Sequence, residues 1–212
     1  MRPVLCMITA SADATSDAML VARVAAAARA GVHLIQIRQP DRDARALVRL
    51  VERAVAAVRG TRARVIVNDR VDVAVAAGAH GVHLRGDSMP AARVRASAGE
   101  GFVIGRSVHS PEEARSVTAD GAVDYVIVGT IFPTASKPAA AAGLGMLAAA
   151  CAATRVPVLA VGGMRPDRLA GVADAGAAGI AAIGLFAEPS VDAMETTVER
   201  VTLAFDTLLT LP

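Results

Sequence analysis

The sequence predicts a single-domain (β/α)8 barrel over residues 1–212, and three observations carry that reading. Short β-branched runs alternate with longer Ala-rich stretches of helical period, the order expected of a parallel sheet wrapped by helices. Several runs are apolar at consecutive positions, as in Val156-Pro-Val-Leu-Ala-Val161, which suits strands buried on both faces. Four strands are entered through small glycine-bearing turns: Ala30-Gly31-Val32-His33, Gly78-Ala79-His80-Gly81, Asp120-Gly121-Ala122-Val123 and Ala175-Gly176-Ala177-Ala178. These precede strands two, four, six and eight, where a glycine lets a helix end in the left-handed conformation.

The elements follow in order. Strand one is expected over Val4–Thr9 and a helix over Asp17–Ala30, then strand two over Val32–Arg38 and a helix over Arg42–Arg59. Strands three and four are expected over Arg64–Asn68 and Gly81–Leu84. Strand five, Phe102–Ser107, leads to a helix over Pro111–Asp120, and strand six covers Tyr125–Gly129. Strand seven, Val156–Val161, is followed by a helix over Arg165–Ala175; strand eight, Gly179–Ile183, precedes a closing helix over Val191–Leu209. Eight units in 212 residues leave about 26 residues each, tight but sufficient for a minimal TIM barrel. No linker or composition shift divides the chain, and the closed barrel is preferred to a doubly wound open sheet.

Composition excludes several classes. With 54% hydrophobic, 20% charged and 2% aromatic residues, the chain is neither a disordered tail, a collagen-like fibre nor a disulfide-stapled miniprotein. Its longest apolar runs, Gly143 to Ala153 and Val156 to Val161, break well before the roughly 18 residues of a spanning helix, so no membrane segment is expected. Net charge is +2, the charges are interspersed, and aromatic stacking platforms are lacking, so no nucleic-acid partner is expected. Cys6 and Cys151 have neither CxxC nor metal spacing and read as buried small hydrophobes. The start MRPVLCMIT lacks a secretion signal, and the expectation is a cytoplasmic protein.

In such a barrel, chemistry collects at the carboxyl ends of the strands. Those ends carry Gln36 and Arg38, Asn68 and Asp69, Arg85 to Ser88, Ser107 and His109, then Thr130 and the run Phe132-Pro-Thr-Ala-Ser-Lys137. Lys137 is the chain's only lysine, which suggests an ammonium that guanidinium does not replace. Thr134 and Ser136 add hydroxyls beside it, and an anion such as a diphosphate is the natural guest. Gly162-Gly163 after strand seven and Ile183-Gly184 after strand eight are placed to hold a phosphate on backbone N–H groups. His109 sits at the rim, where an imidazole can relay a proton near neutral pH; a structural histidine is the other reading. His33 and His83 lie within strands, and His80, in a turn, reads as exposed. Asp69 offers a metal carboxylate, with Asp87 the nearest second, although one carboxylate is thin for Mg²⁺.

These residues, in this order, resemble the thiamine phosphate synthase/TenI family across almost the whole chain. The matching stretches are Gln36-Ile-Arg38, Val65-Ile-Val-Asn-Asp-Arg70, Gly78-Ala-His-Gly-Val-His-Leu84, Gly105-Arg-Ser-Val-His-Ser-Pro-Glu-Glu-Ala114, Asp124 to Lys137, and Val158-Leu-Ala-Val-Gly-Gly163. The resemblance implies the same barrel and one of two activities. A synthase joins hydroxymethylpyrimidine diphosphate to thiazole phosphate with Mg²⁺, releasing diphosphate. A TenI-type tautomerase aromatises carboxythiazole phosphate by proton transfer and needs no cofactor. The resemblance places thiazole phosphate on Gly162, Gly163, Ile183 and Gly184, and the pyrimidine diphosphate near Gln36, Arg38, Asn68, Ser107, Thr134, Ser136 and Lys137. His109 lies in the segment similar to the TenI catalytic histidine.

Three departures stand out. Arg38 is followed by Gln39-Pro40 where synthases usually carry Glu-Lys. Ser88 occupies the position of a magnesium-binding aspartate, so Asp87 would serve only if the loop shifted by one residue. Gly184 stands where serine is frequent. Diphosphate departure needs charge neutralised where it develops, whereas proton transfer on a bound thiazole needs only a positioned acid/base. The expectation is therefore a tautomerase; the alternatives are a synthase and a non-catalytic binder of thiamine precursors. Its partner is a small phosphate ligand, and a homo-oligomer is left open.

Overall fold

The computed structural model describes residues 3–9, 16–134, 141–187 and 190–206. Eight parallel strands pair in sequence order and close into a barrel through the first and the last. They are β1 (Val4–Ile8), β2 (Leu34–Ile37), β3 (Arg64–Asn68), β4 (Gly81–Leu84), β5 (Val103–Val108), β6 (Tyr125–Val128), β7 (Val158–Val161) and β8 (Gly179–Ala182). The helices are α1 (Asp17–Ala30), α2 (Ala44–Ala57), α3 (Val71–Ala76), α4 (Ala91–Ala98), α5 (Pro111–Thr118), α6 (Gly143–Ala153), α7 (Leu169–Asp174) and α8 (Val191–Asp206).

The expected barrel is present, with differences at the edges. The helix expected over Arg165–Ala175 begins as a 3-10 turn, Pro166–Arg168, before α7. Three helices carried no clear amphipathic signal. α3 has six residues, too few to display a period, α4 is scarcely longer with eight, and α6 is apolar nearly all round although it buries only Leu147 and Ala150. Where local chemistry is strong, boundaries are sharp. Ser16 accepts the Met19 N–H at 3.3 Å, Asp43 the Ala46 N–H at 2.9 Å, and Ser110 the Glu113 N–H at 3.1 Å, each capping its helix. The four glycine turns are left-handed as expected, with φ of 99° at Gly31, 63° at Gly78, 70° at Gly121 and 85° at Gly176. A further pair, Gly99 and Gly101, brings the chain from α4 to β5 through open space.

Side chains alternate between the two faces of each strand. Leu5, Met7, Ile35, Ile37, Val65 and Val67 pack outward under the helices. Cys6, Ile8, Leu34, Ile66, Tyr125, Ile127, Leu159 and Ala181 fill the barrel itself. Burial pushes the Cys6 thiol up to about 12, and Cys151, only half-buried, to about 11, so neither is a ready thiolate. At the next inward positions toward the carboxyl ends stand Gln36, Asn68, His83 and Ser107, giving an apolar floor and a polar mouth. Among the described residues, no helix is long and apolar enough to cross a membrane.

Candidate active site

The mouth holds a cavity of about 520 Å³ that brings together the expected Gln36, Arg38, Asn68, Ser107 and His109, and adds His83, Arg85 and Asp87. Gln36 Nε2 donates to Asn68 Oδ1 at 2.8 Å, while Gln36 Oε1 is buried without a hydrogen-bond partner. A buried acceptor of that kind calls for a donor from a ligand. The end of β1 steadies this wall: Thr9 N donates to Gln36 O at 3.0 Å, and Arg38 N donates to Thr9 Oγ1 at 2.9 Å.

His83 lies within a strand, β4, as expected, and also lines the cavity. It is 2% exposed, faces inward, and lies with Nε2 2.9 Å from Ser107 Oγ and Nδ1 3.1 Å from the Tyr125 hydroxyl. Burial pushes its pKa down to about 3 against the opposing pull of Asp69, so the ring is neutral. The period-2 pattern was the available signal: in Gly81-Val82-His83-Leu84, Val82 and Leu84 pack under the helices, which turns His83 inward. His80 is also half-buried rather than exposed, accepting the Val65 N–H on Nδ1 at 3.0 Å. His109 lines the cavity with a largely exposed ring, Nδ1 3.5 Å from Glu113 Oε2, and its backbone N–H donates to the same oxygen at 2.7 Å.

At the rim, Asp69 takes a left-handed conformation (φ 62°) and accepts a hydrogen bond from the Ser88 hydroxyl. Arg85 Nε lies 3.4 Å from Asp69 Oδ2, and Arg85 also donates to both Asp87 oxygens at 3.1 and 3.0 Å. The loop is pinned by Arg106, which donates to Met89 O (2.9 Å), Gly86 O (2.8 Å) and Ser88 O (3.1 Å). The register is therefore unshifted: Ser88 faces Asp69, and Asp87 is turned to Arg85. Among the described residues, no three His, Cys, Asp or Glu side chains converge as a metal cage. Asp69 and Ser88 offer one carboxylate and one hydroxyl, oxygen donors of the kind that Mg²⁺ takes.

A second cavity, of about 440 Å³, is lined by Gly162, Gly163, Ile183 and Gly184, together with Thr134. Thr134, expected beside the diphosphate, thus belongs to the glycine cavity; Ser136 and Lys137 lie outside the described residues. Gly162 and Gly163 have φ of 98° and 64°; an added Cβ would lie 2.4 Å from Thr130 Cγ2 and 2.8 Å from Pro133 O respectively. Only glycine suits both positions. Gly184 differs, having open space where a Cβ would go. Gly184→Ser is expected to leave stability within about 0.5 kcal/mol of the parent, read from urea unfolding. Val161 and Ile183 line both cavities, which adjoin at one mouth.

Known proteins resemble this chain in sequence and in fold. A thiamine-phosphate synthase of Chlorobium luteolum is 40% identical over 183 residues, covering 85% of this chain and 84% of its own. One from Anaeromyxobacter dehalogenans is 43% identical over 165 residues, 77% of this chain and 73% of its own. The solved thiamine phosphate pyrophosphorylase of Pyrococcus furiosus superposes with a TM-score of 0.80 at 28% identity, covering 97% and 96% of the two chains. These names favour the synthase alternative and do not support the tautomerase expectation. With residues 5–186 matching the family model described as thiamine monophosphate synthase, the chain belongs to that family.

Proposed function

We propose that the protein is a thiamine-phosphate synthase, a transferase that joins hydroxymethylpyrimidine diphosphate to thiazole phosphate. The observation that carries this reading is the pair of adjoining cavities, one glycine-lined and one polar, sharing Val161 and Ile183. A coupling reaction needs two substrates held side by side; an isomerisation needs one. The names of the relatives support the same choice.

In this mechanism Gly162, Gly163 and Gly184 cradle the thiazole phosphate on backbone N–H groups, at a turn that only glycine can take at the first two positions. Gln36 and Asn68 hold the pyrimidine, whose N–H satisfies the lone Gln36 Oε1. Arg38, Arg85 and Ser107 meet the diphosphate. Asp69 and Ser88 would hold Mg²⁺, which when bound supplies charge neutralisation to the departing diphosphate. The bond between the pyrimidine methylene and diphosphate oxygen breaks with its electron pair going to oxygen, and the thiazole nitrogen lone pair forms the new C–N bond. Positioning two reactants in contact supplies much of the rate.

A second reading, the tautomerase, is supported by His109 beside Glu113 at the rim and by Arg85 already pairing Asp87. The deciding experiment supplies both substrates and Mg²⁺ and measures thiamine phosphate. Product formed at a catalytic rate supports the synthase. Folded protein that binds thiazole phosphate without making product overturns it; isomerisation abolished by His109→Ala would then establish the tautomerase, and binding without either rate a precursor binder.

A further inference from the structure

The mouth rests on a buried aromatic that the coupling chemistry does not itself use. His83, Gly105 and Tyr125 stand in register on β4, β5 and β6. Gly105 leaves a gap in that row, and the Tyr125 ring crosses β5 through it. A Cβ at Gly105 would lie 2.0 Å from Tyr125 Cζ and 2.3 Å from its hydroxyl. Crossing the gap sets that hydroxyl 3.1 Å from His83 Nδ1, with the ring centroids 5.6 Å apart. Ser107, two residues along β5 from the gap, meets the other ring nitrogen at 2.9 Å.

The hydrogens in this chain can be assigned by satisfaction. Tyr125 is 3% exposed, and among the described residues its hydroxyl meets His83 alone. Were the phenol to accept a hydrogen from Nδ1, its own O–H would be buried without an acceptor, a costly state. The phenol therefore donates to Nδ1, which must be the bare nitrogen of a neutral imidazole. The hydrogen then sits on Nε2 and is donated to Ser107 Oγ. With that lone pair engaged, Ser107 has its own hydrogen left to give, and the cavity is where it can give it.

We infer that Tyr125 is a positioning residue that holds His83 in its Nε2–H tautomer and so makes the Ser107 hydroxyl a hydrogen-bond donor to the cavity, selecting a ligand atom that accepts, such as an anionic phosphate oxygen. The opposite tautomer would turn Ser107 into an acceptor and favour an N–H group in the same place. The ligand half of this inference rests on the proposed reading of the polar cavity as the diphosphate site; the tautomer half does not. Burial keeps His83 neutral, with Asp69 and Arg106 the charged groups acting on it from neighbouring elements.

The test is ¹⁵N NMR of the histidine rings in the full-length protein, with His83 assigned by its absence in His83→Gln. A protonated Nε2 and a bare Nδ1 are expected; a protonated Nδ1 would overturn the inference. Tyr125→Phe, which keeps the ring volume, is expected to lose the fixed tautomer and to weaken inorganic pyrophosphate binding about tenfold. Ser107→Ala should weaken it to a similar extent, and the double variant no further than Ser107→Ala alone. Additive losses would overturn the relay. If Tyr125→Phe does not fold, the parent tautomer decides. If the parent fails to bind pyrophosphate, the cavity reading and the ligand half fall together, while the ring shifts still decide the tautomer half.

Discussion

Gly105→Ala is expected to destabilise the protein by about 3 kcal/mol, the upper range for forcing extra volume into a packed core. The added methyl group meets the hydroxyl-bearing end of the Tyr125 ring, which is rigid, and that ring is enclosed by the barrel wall. Either β5 and β6 separate or the ring leaves its place, and both break its bond to His83. The urea midpoint measures the effect. The double variant Gly105→Ala/Tyr125→Leu should recover part of the loss, because the clash is removed along with the ring; a double variant as unstable as the sum of the single ones would contradict this account.

Asp69→Asn is expected to lower the rate of thiamine phosphate formation by about 100-fold at fixed Mg²⁺, with partial recovery as Mg²⁺ is raised. Asparagine is the informative substitution. It tolerates the left-handed conformation at position 69 and retains an acceptor for Ser88, so the backbone and the rim loop stay in place. What changes is the charge. An equal loss at every Mg²⁺ concentration would instead assign Asp69 a role in shaping the loop. Ser88→Asp gives the complementary measurement, since a second carboxylate facing Asp69 should lower the Mg²⁺ concentration needed for half-maximal rate.

Much of this architecture was legible in the sequence because its signals are local. A glycine after an Ala-rich run reports a left-handed helix end whatever lies elsewhere, and Gly31, Gly78, Gly121 and Gly176 all adopt it. Gly162-Gly163 was equally readable, as its backbone conformation excludes other residues. The site residues Gln36, Arg38, Asn68, Ser107 and His109 converge because strand ends in a closed barrel have only one mouth to face. His83 is signalled only by the two-residue alternation, which a four-residue strand displays at just two inward positions, Gly81 and His83. Arg106 was beyond reach: nothing in its neighbours shows that a guanidinium on the helix side of β5 reaches three carbonyls of a loop after β4. Thr134 lines the glycine cavity rather than the polar one, which sequence order could not show, since it locates a loop at the mouth without saying which of two adjoining cavities it lines.

The junction at Gly99 and Gly101 has one more consequence. Nothing packs within 4 Å of where either glycine would carry a Cβ, so the chain is open to cleavage or insertion there with little loss of contact. Such a cut divides the barrel into two four-strand fragments, each with an unpaired β-edge on both sides, which drives them to recombine. The lining of the glycine cavity, Thr134 to Leu185, falls wholly within the second fragment. The polar cavity is divided, with Gln36, Asn68 and His83 on one piece and Ser107 and His109 on the other. The bond between Tyr125 and His83 and the hold of Arg106 on the rim loop both cross that division. The glycine cavity is thus encoded in half of the chain, whereas the polar cavity requires both halves to meet.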